Sequence, residues 1–327
     1  MNQNKIFNKS NLKVWSTLGM RATFGVAALE LGKTVENLMI LTGDVSTSAG
    51  LDRFKKKFPE KYLDVGIAEQ NLIGIGAGLA SEGFSVITTT FAPFQTMRCC
   101  EQIKVNLGYM KQKITMVGLA SGLVLGTLGY THCCLEDVGI LRSIPNLTII
   151  TPADSGEAVK AVIASLEHSN SVYIRLTGGS NINPIHEDDY DFAIGQSITL
   201  KKGSDISIFA CGTMVKVALD CSKILNESGI DAEVINMHTI KPIDADKIKD
   251  STTKSKLIVT IEEHNIIGGL GSAVAECLAK IKNSPEQIFF GTNDRYSDGG
   301  DYNFLKQKFN LTSDLISKKI ISKLKKI

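Results

Sequence analysis

No run of about 18 consecutive apolar residues occurs, so nothing here reads as a transmembrane helix. The N-terminal stretch, Met1 to Asn11, is polar and rich in Asn and Lys, without the apolar core of a secretory signal. Neither sign of charge is in excess: 36 Lys and Arg against 34 Asp and Glu leave +2 over 327 residues. That balance removes the electrostatic case for a dedicated nucleic-acid or membrane-surface binder. The one cationic cluster, Lys318, Lys319, Lys323, Lys325 and Lys326, is interleaved with Leu315, Ile316, Ile320, Ile321 and Leu324 at helical spacing, which predicts an amphipathic helix with a solvated face. Cysteine occurs seven times, an odd number with no Cys-x-x-Cys, so a reduced, cytoplasmic protein is expected. There is no Gly-x-x-x-x-Gly-Lys-Ser/Thr phosphate loop, and no Gly-x-Gly-x-x-Gly opens a first strand-to-helix turn.

What is present is enough chain for about two domains and a hydrophobic content of 43%. Only 7 prolines occur, while 29 glycines gather over 66–83, 118–129, 178–179 and 268–271, where backbone must turn sharply or approach something closely. Strand-like and helix-like stretches alternate: helix over Arg21–Lys33, strand Glu36–Thr42, helix Ile67–Ser81, strand Ser85–Thr90, helix Phe94–Leu107, strands Lys113–Gly118 and Leu147–Thr151, helix Asp154–Glu167 and strand Ser171–Leu176. A polar, acidic segment around Asn181–Gly195 interrupts the pattern, and the alternation restarts at Asp205. The expected fold class is α/β, with two domains that are each a mostly parallel sheet covered by helices. The expected division is a tail over 1–14, a first domain over 15–192 and a second over 193–327.

Four segments could carry chemistry. Glu69 opens a helix of small and apolar residues in Gly66-Ile-Ala-Glu-Gln. A carboxylate there is favoured by the helix dipole alone; alternatively, the small residues let the helix approach a flat cofactor and Glu69 exchanges a proton with a ring nitrogen. Gly74, Gly76 and Gly78 lie inside this helix and read as packing. Thr89-Thr-Phe91-Ala-Pro-Phe94 falls at a strand-to-helix junction, where α/β sheets place ligands; its rings are either core or a stacking surface. The loop Gly118 to Gly129 delivers His132, a candidate site residue because a Gly-rich loop presents it. Glu262-Glu-His264, ahead of Gly268-Gly-Leu-Gly271, is either a loop-borne site or, the reading preferred here, a cap for the helix that follows.

Taken together these segments resemble the second half of the transketolase family. Gly66-Ile-Ala-Glu69-Gln resembles its glutamate motif and Thr89-Thr-Phe91-Ala-Pro-Phe94 its aromatic segment. Thr131-His132, Leu141-Arg-Ser-Ile-Pro-Asn and Thr151-Pro-Ala-Asp154 resemble its substrate-histidine region. Thr239-Ile-Lys-Pro-Ile-Asp244 and Glu262 to Ser272 resemble its C-terminal domain. The resemblance implies a pyrimidine-binding domain plus a transketolase C-terminal domain, and dependence on thiamine diphosphate. Glu69 would pair with the aminopyrimidine ring nitrogen, Phe91 and Phe94 would line or stack on that ring, and His132 would hydrogen-bond the substrate hydroxyl. Asp44 would lie near the cofactor or donor, and Arg21 and Ser48 would face the acceptor or its phosphate. No metal ligand is expected in this chain. The family's diphosphate- and Mg²⁺-binding motif, Gly-Asp-Gly…Asn, has no match; Gly43-Asp44-Val45 lacks the second glycine. The resemblance therefore implies the C-terminal subunit of a split transketolase, active with an N-terminal subunit that holds the diphosphate and Mg²⁺ in an α2β2 heterotetramer.

Three positions depart from the family pattern. Leu128 stands where an aspartate reads a substrate hydroxyl, Ala120 replaces a histidine, and Gly178 replaces a phosphate-binding arginine. Losing a bidentate clamp is not neutral, so a modified, deoxy or nucleotide-linked sugar is expected in place of the usual pentose phosphate. The β subunit of a 2-oxoacid dehydrogenase E1 component, a 1-deoxyxylulose-5-phosphate synthase-like enzyme and a non-catalytic partner subunit are the alternatives.

Overall fold

A computed structural model describes residues 7–186 and 188–326. Twelve strands among these residues form two sheets, labelled here in chain order: β1 Leu38–Thr42, β2 Tyr62–Asp64, β3 Ser85–Phe91, β4 Ile114–Ser121, β5 Leu147–Ile150, β6 Ser171–Thr177, β7 Ile198–Lys201, β8 Ile206–Ala210, β9 Ala232–Asn236, β10 Thr239–Lys241, β11 Leu257–Asn265 and β12 Glu286–Thr292. The first sheet runs β10-β5-β6-β4-β3-β1-β2 and the second β12-β11-β8-β9-β7. Every pairing is parallel except β10 on β5 and β7 on β9. Helices cover both sheets, which gives the α/β architecture that the alternation implied. Strands β4, β5 and β6 are buried along their whole lengths, as parallel strands covered on both faces are, and β6 takes Arg175 into the interior with it.

The two sheets are not independent bodies. β10, from the second half of the chain, adds to the edge of the first sheet, with Thr239 opposite Ile150. One apolar cluster joins Leu141, Ile144, Ile149 and Tyr173 of the first half to Phe209, Ile235, Ile258 and Leu270 of the second. The helix Lys9–Leu18 buries Leu12 and Trp15, the latter edge-on to Phe7, against the first domain. Residues 1–6, the rest of the expected tail, lie outside the described residues. The C-terminal amphipathic helix forms over Ser313–Leu324, with Ile316 and Ile320 buried.

One expected element is broken. Phe94–Leu107 is not a single helix: a turn over Ala92–Gln95 gives way to a tight 3₁₀ turn at Met97–Cys99, a helical turn at Cys100–Gln102 and a π-helical stretch over Ile103–Tyr109. Thr96 is the break point. Its buried hydroxyl donates back to the Ala92 carbonyl at 2.7 Å, and its backbone, at φ −117°, ψ −77°, departs from the ideal helical angles. Arg98 lies in the tight turn that follows.

Candidate active site

Glu69 is the first residue of the helix Glu69–Ser81, at the C-terminal edge of the first sheet. The chain reaches it through a pair of turns held by Asp64. That carboxylate accepts hydrogen bonds from Thr42 Oγ1, Tyr62 OH and the backbone N–H groups of Asp44 and Gly66, at 2.9 to 3.1 Å. Burial pushes the Asp64 pKa up, but the four donors outweigh it and hold the group below its ordinary value. Asp44 itself takes φ +59°, and its side chain faces solvent.

Glu69 is 3% exposed. A carboxylate so enclosed needs a partner, and Arg98 supplies it: Nη1 donates to Oε2 at 2.8 Å. The Arg98 guanidinium lies 3.9 Å above the Phe94 ring centroid, inside cation–π range. Phe94 meets Phe91 edge-on at 6.3 Å, and His132 meets both rings edge-on, at 5.4 Å from Phe94 and 5.9 Å from Phe91. Glu69, Phe91, Phe94 and His132, drawn from three separated segments, thus form one contiguous cluster. Beside it is a small cradle. The Thr90 hydroxyl is buried without a hydrogen-bond partner, and a Cβ added at Gly43 would fall 3.4 Å from Glu69 Cγ and 3.7 Å from that hydroxyl. An orphaned donor and a missing side chain next to a buried carboxylate suit a flat, nitrogen-bearing ring.

His132 is half-buried, with Nδ1 3.0 Å from Thr131 Oγ1. Its loop is secured from the second domain. Gly300 N–H donates to the Gly126 carbonyl, Tyr296 OH to Glu136 at 2.7 Å, and Tyr130 OH lies 2.8 Å from Ser297 Oγ. Deeper down, Arg175 is fully buried and grips Asp137 through Nε at 3.0 and 2.8 Å. Its Nη2 donates to the carbonyls of Cys134 and Glu263. Glu262 to His264 lie on β11, not in a loop. Glu262 caps the next helix by accepting from Leu270 N–H and Gly271 N–H at 2.7 and 2.8 Å; its burial pushes its pKa up to about 7. Glu263 spans the domain junction, accepting from Leu123 N–H, Thr213 Oγ1 and Tyr302 OH.

Arg21 and Ser48 are not joined to the cluster by any hydrogen bond or ring contact among the described residues. Arg21 sits in the first turn of the helix Met20–Thr34, which the turn carrying Ser48 crosses closely: a Cβ on Gly25 would lie 2.0 Å from the Gly50 carbonyl oxygen. Burial lowers the Arg21 pKa. The helical glycines also separate. Gly76 packs on β3, where an added Cβ would meet Thr88 Cγ2 at 3.1 Å, whereas Gly74 and Gly78 face open space. Only the first is packing within this chain. Among the described residues, no group of three or more His, Cys, Asp and Glu could hold a metal ion.

Residues 16–180 match the model of the transketolase pyrimidine binding domain and residues 195–296 that of the transketolase C-terminal domain. The chain belongs to the transketolase family. It is 38% identical, over 94% of its length and 97% of the relative, to a putative transketolase C-terminal section of Methanocaldococcus jannaschii. It is 37% identical, over 90% of its length and 91% of the relative, to the 6-deoxy-6-sulfo-D-fructose transketolase subunit SqwH of a Clostridium species. The solved structure of a split-gene transketolase, an inactive beta4 tetramer, matches at TM-score 0.84 and 34% identity, over 93% of this chain and 97% of that one. Membership of this family implies dependence on thiamine diphosphate. Within a transketolase-family chain, the residue that sequence reading missed is Arg98. Its signal is its spacing of four from Phe94, which sets the two side chains side by side in a helical turn; its pairing with Glu69 has no local signal.

Proposed function

We propose that this chain is the C-terminal subunit of a two-subunit transketolase that transfers a two-carbon ketol unit from a ketose donor to an aldose acceptor in the cytoplasm. The observation that carries the reading is the single cluster of Glu69, Phe91, Phe94 and His132 beside Gly43 and the unpartnered Thr90 hydroxyl. The residues fit the aminopyrimidine end of thiamine diphosphate. Glu69 would hold the ring nitrogen, Phe91 and Phe94 would flank the ring, and Thr90 and Asp44 would border it. When bound, the cofactor supplies the carbanion stabilisation that ketol transfer requires. Glu69 holds a proton position at the pyrimidine. His132, steadied at Nδ1 by Thr131, presents its other ring nitrogen to the substrate oxygen on which charge develops. The aromatic rings around it exclude water from one side.

The diphosphate and Mg²⁺ fall to an N-terminal-section partner, and two copies of each chain make an α2β2 assembly. Exposed apolar side chains border the cluster in sequence, with Ile67 at 78%, Met97 at 38% and Leu128 at 56% exposure; such surface is what a partner subunit covers. Arg21 and Ser48 would face the acceptor. Leu128, solvent-facing four positions ahead of His132, offers no hydrogen bond to a sugar hydroxyl. Gly178, at φ +72° with Thr213 Cγ2 2.5 Å from where its Cβ would be, has no room for the family's arginine. Both features favour a modified sugar over a pentose phosphate. Calorimetry with thiamine diphosphate and Mg²⁺ tests the architecture: negligible binding to the chain alone and tight binding with the partner are expected. Turnover of a Glu69→Ala complex within a few-fold of wild type would remove the catalytic role. Comparable turnover with xylulose 5-phosphate and ribose 5-phosphate would remove the substrate reading.

A further inference from the structure

Arg98 already makes, inside the chain, the two contacts that the pyrimidine ring is expected to make. Its guanidinium is planar, cationic and rich in N–H donors. One N–H reaches Glu69 Oε2 at 2.8 Å, while the plane covers Phe94 at 3.9 Å from the centroid. The other two aromatic groups at Phe94, Phe91 and His132, approach at 88° and 71° to its plane. Among the described residues, Arg98 is therefore the one planar group lying over that ring. A second planar group stacked there and bonded to the same carboxylate needs the same layer of space. We infer that Arg98 is an internal plug of the pyrimidine subsite, standing in for the cofactor ring in the free chain and leaving when the ring enters. This rests on the assignment of Glu69 and Phe94 to that ring.

The geometry explains why such a plug holds and why it can leave. Glu69 is buried and costly to leave unpaired, so an empty subsite favours a cation there. The Arg98 side chain is 42% exposed, so swinging the charge outward returns it to water at small cost. Its backbone stays in place meanwhile, since the Arg98 carbonyl accepts from Gln70 Nε2 at 3.2 Å on the Glu69 helix. The plug makes the apparent affinity for the ring lower than the intrinsic one by the fraction of time the subsite is open.

The test uses the complex of this chain with its diphosphate-binding partner and reads the dissociation constant of thiamine diphosphate by calorimetry at saturating Mg²⁺. Arg98→Ala tightens binding by on the order of tenfold, as expected if the plug is in place about nine-tenths of the time. Arg98→Lys, which keeps the charge but not the planar fork, falls between. Tightening is the informative sign, because a merely structural loss would weaken binding. Arg98→Gln serves in place of the alanine variant if that chain fails to fold. Unchanged or weaker binding in Arg98→Ala, alongside clear loss of binding in Glu69→Ala, overturns the plug and leaves the Glu69 assignment standing. Unaltered binding in Glu69→Ala overturns both.

Discussion

Replacing Arg175 with Met tests whether the histidine loop is held by a buried charge network. Arg175 is 1% exposed and Asp137 fully buried. Two Nε contacts at 3.0 and 2.8 Å and a Tyr173 hydroxyl at 2.7 Å satisfy the carboxylate, and Arg175 Nη2 satisfies the Cys134 and Glu263 carbonyls. The nearest other cation source, His264, has Nε2 3.8 Å from Asp137, but burial, aided by the Arg175 charge, pushes its pKa down to about 4 in the wild-type chain, and Nε2 already accepts from the Gly139 N–H at 3.3 Å. Arg175→Met leaves a buried anion with one hydroxyl donor. Breaking such a pair costs about 3–5 kcal/mol, a large share of a typical total of about 5–15 kcal/mol. With a urea m-value of about 3 kcal/mol/M, the unfolding midpoint falls by roughly 1–2 M, read by circular dichroism. The double variant Asp137→Leu, Arg175→Met removes both charges and regains most of the loss. A loss below about 1 kcal/mol in Arg175→Met, or no recovery in the double variant, would refute the reasoning. In the proposed two-subunit enzyme, Arg175→Met also lowers turnover, because the Cys134 carbonyl, two positions after His132, keeps its bond from Gly122 N–H but loses the one from Arg175.

Two further variants probe the linkage between charge and fold. Burial first, and then the neighbouring Asp154 charge, push the Glu157 pKa up to about 8; the folded chain thus holds a proton that the unfolded chain releases near pH 4.5. Its contribution is fully present below pH 4.5 and is lost as pH rises through 8, by at most about 1.4 kcal/mol per pH unit. Glu157→Gln should flatten this decline between pH 5 and 8 in urea titrations; parallel profiles would refute it. His238 and His264, both pushed down to about 4 by burial, act oppositely as pH falls from 6.5 towards 4, and their effect cancels in the comparison. Gly178→Arg, which introduces the arginine that the resemblance implies there, should cost about 1–3 kcal/mol from left-handed strain and overlap with Thr213 and Ile182, without gaining turnover on pentose phosphates; a stable variant that gains such turnover would show that the loop has room after all.

The parts of the molecule that could be read in advance are those fixed by local pattern. Short stretches rich in β-branched residues mark strands β4 and β5, and a carboxylate ahead of a run of small residues marks the start of the Glu69 helix. What sequence conceals is decided by partners far along the chain. β10 is three residues with no periodicity, and only the edge of β5 makes it a strand. Glu262 and Glu263 look alike in sequence, yet one caps a helix while the other ties Leu123 to Thr213 and Tyr302 across the domain junction. Gly74, Gly76 and Gly78 share one helix, but a helical step of two residues turns them to different sides, so only Gly76 meets β3. Arg98 is the sharpest case. Its spacing of four from Phe94 would set the two side chains side by side in any regular helix, but no local spacing ties it to Glu69, 29 residues earlier. The helix gives way at Thr96, and the turn that follows sets the guanidinium against Glu69 and over Phe94. A residue's place in the site can thus depend on a contact that only the fold makes, which periodicity does not register.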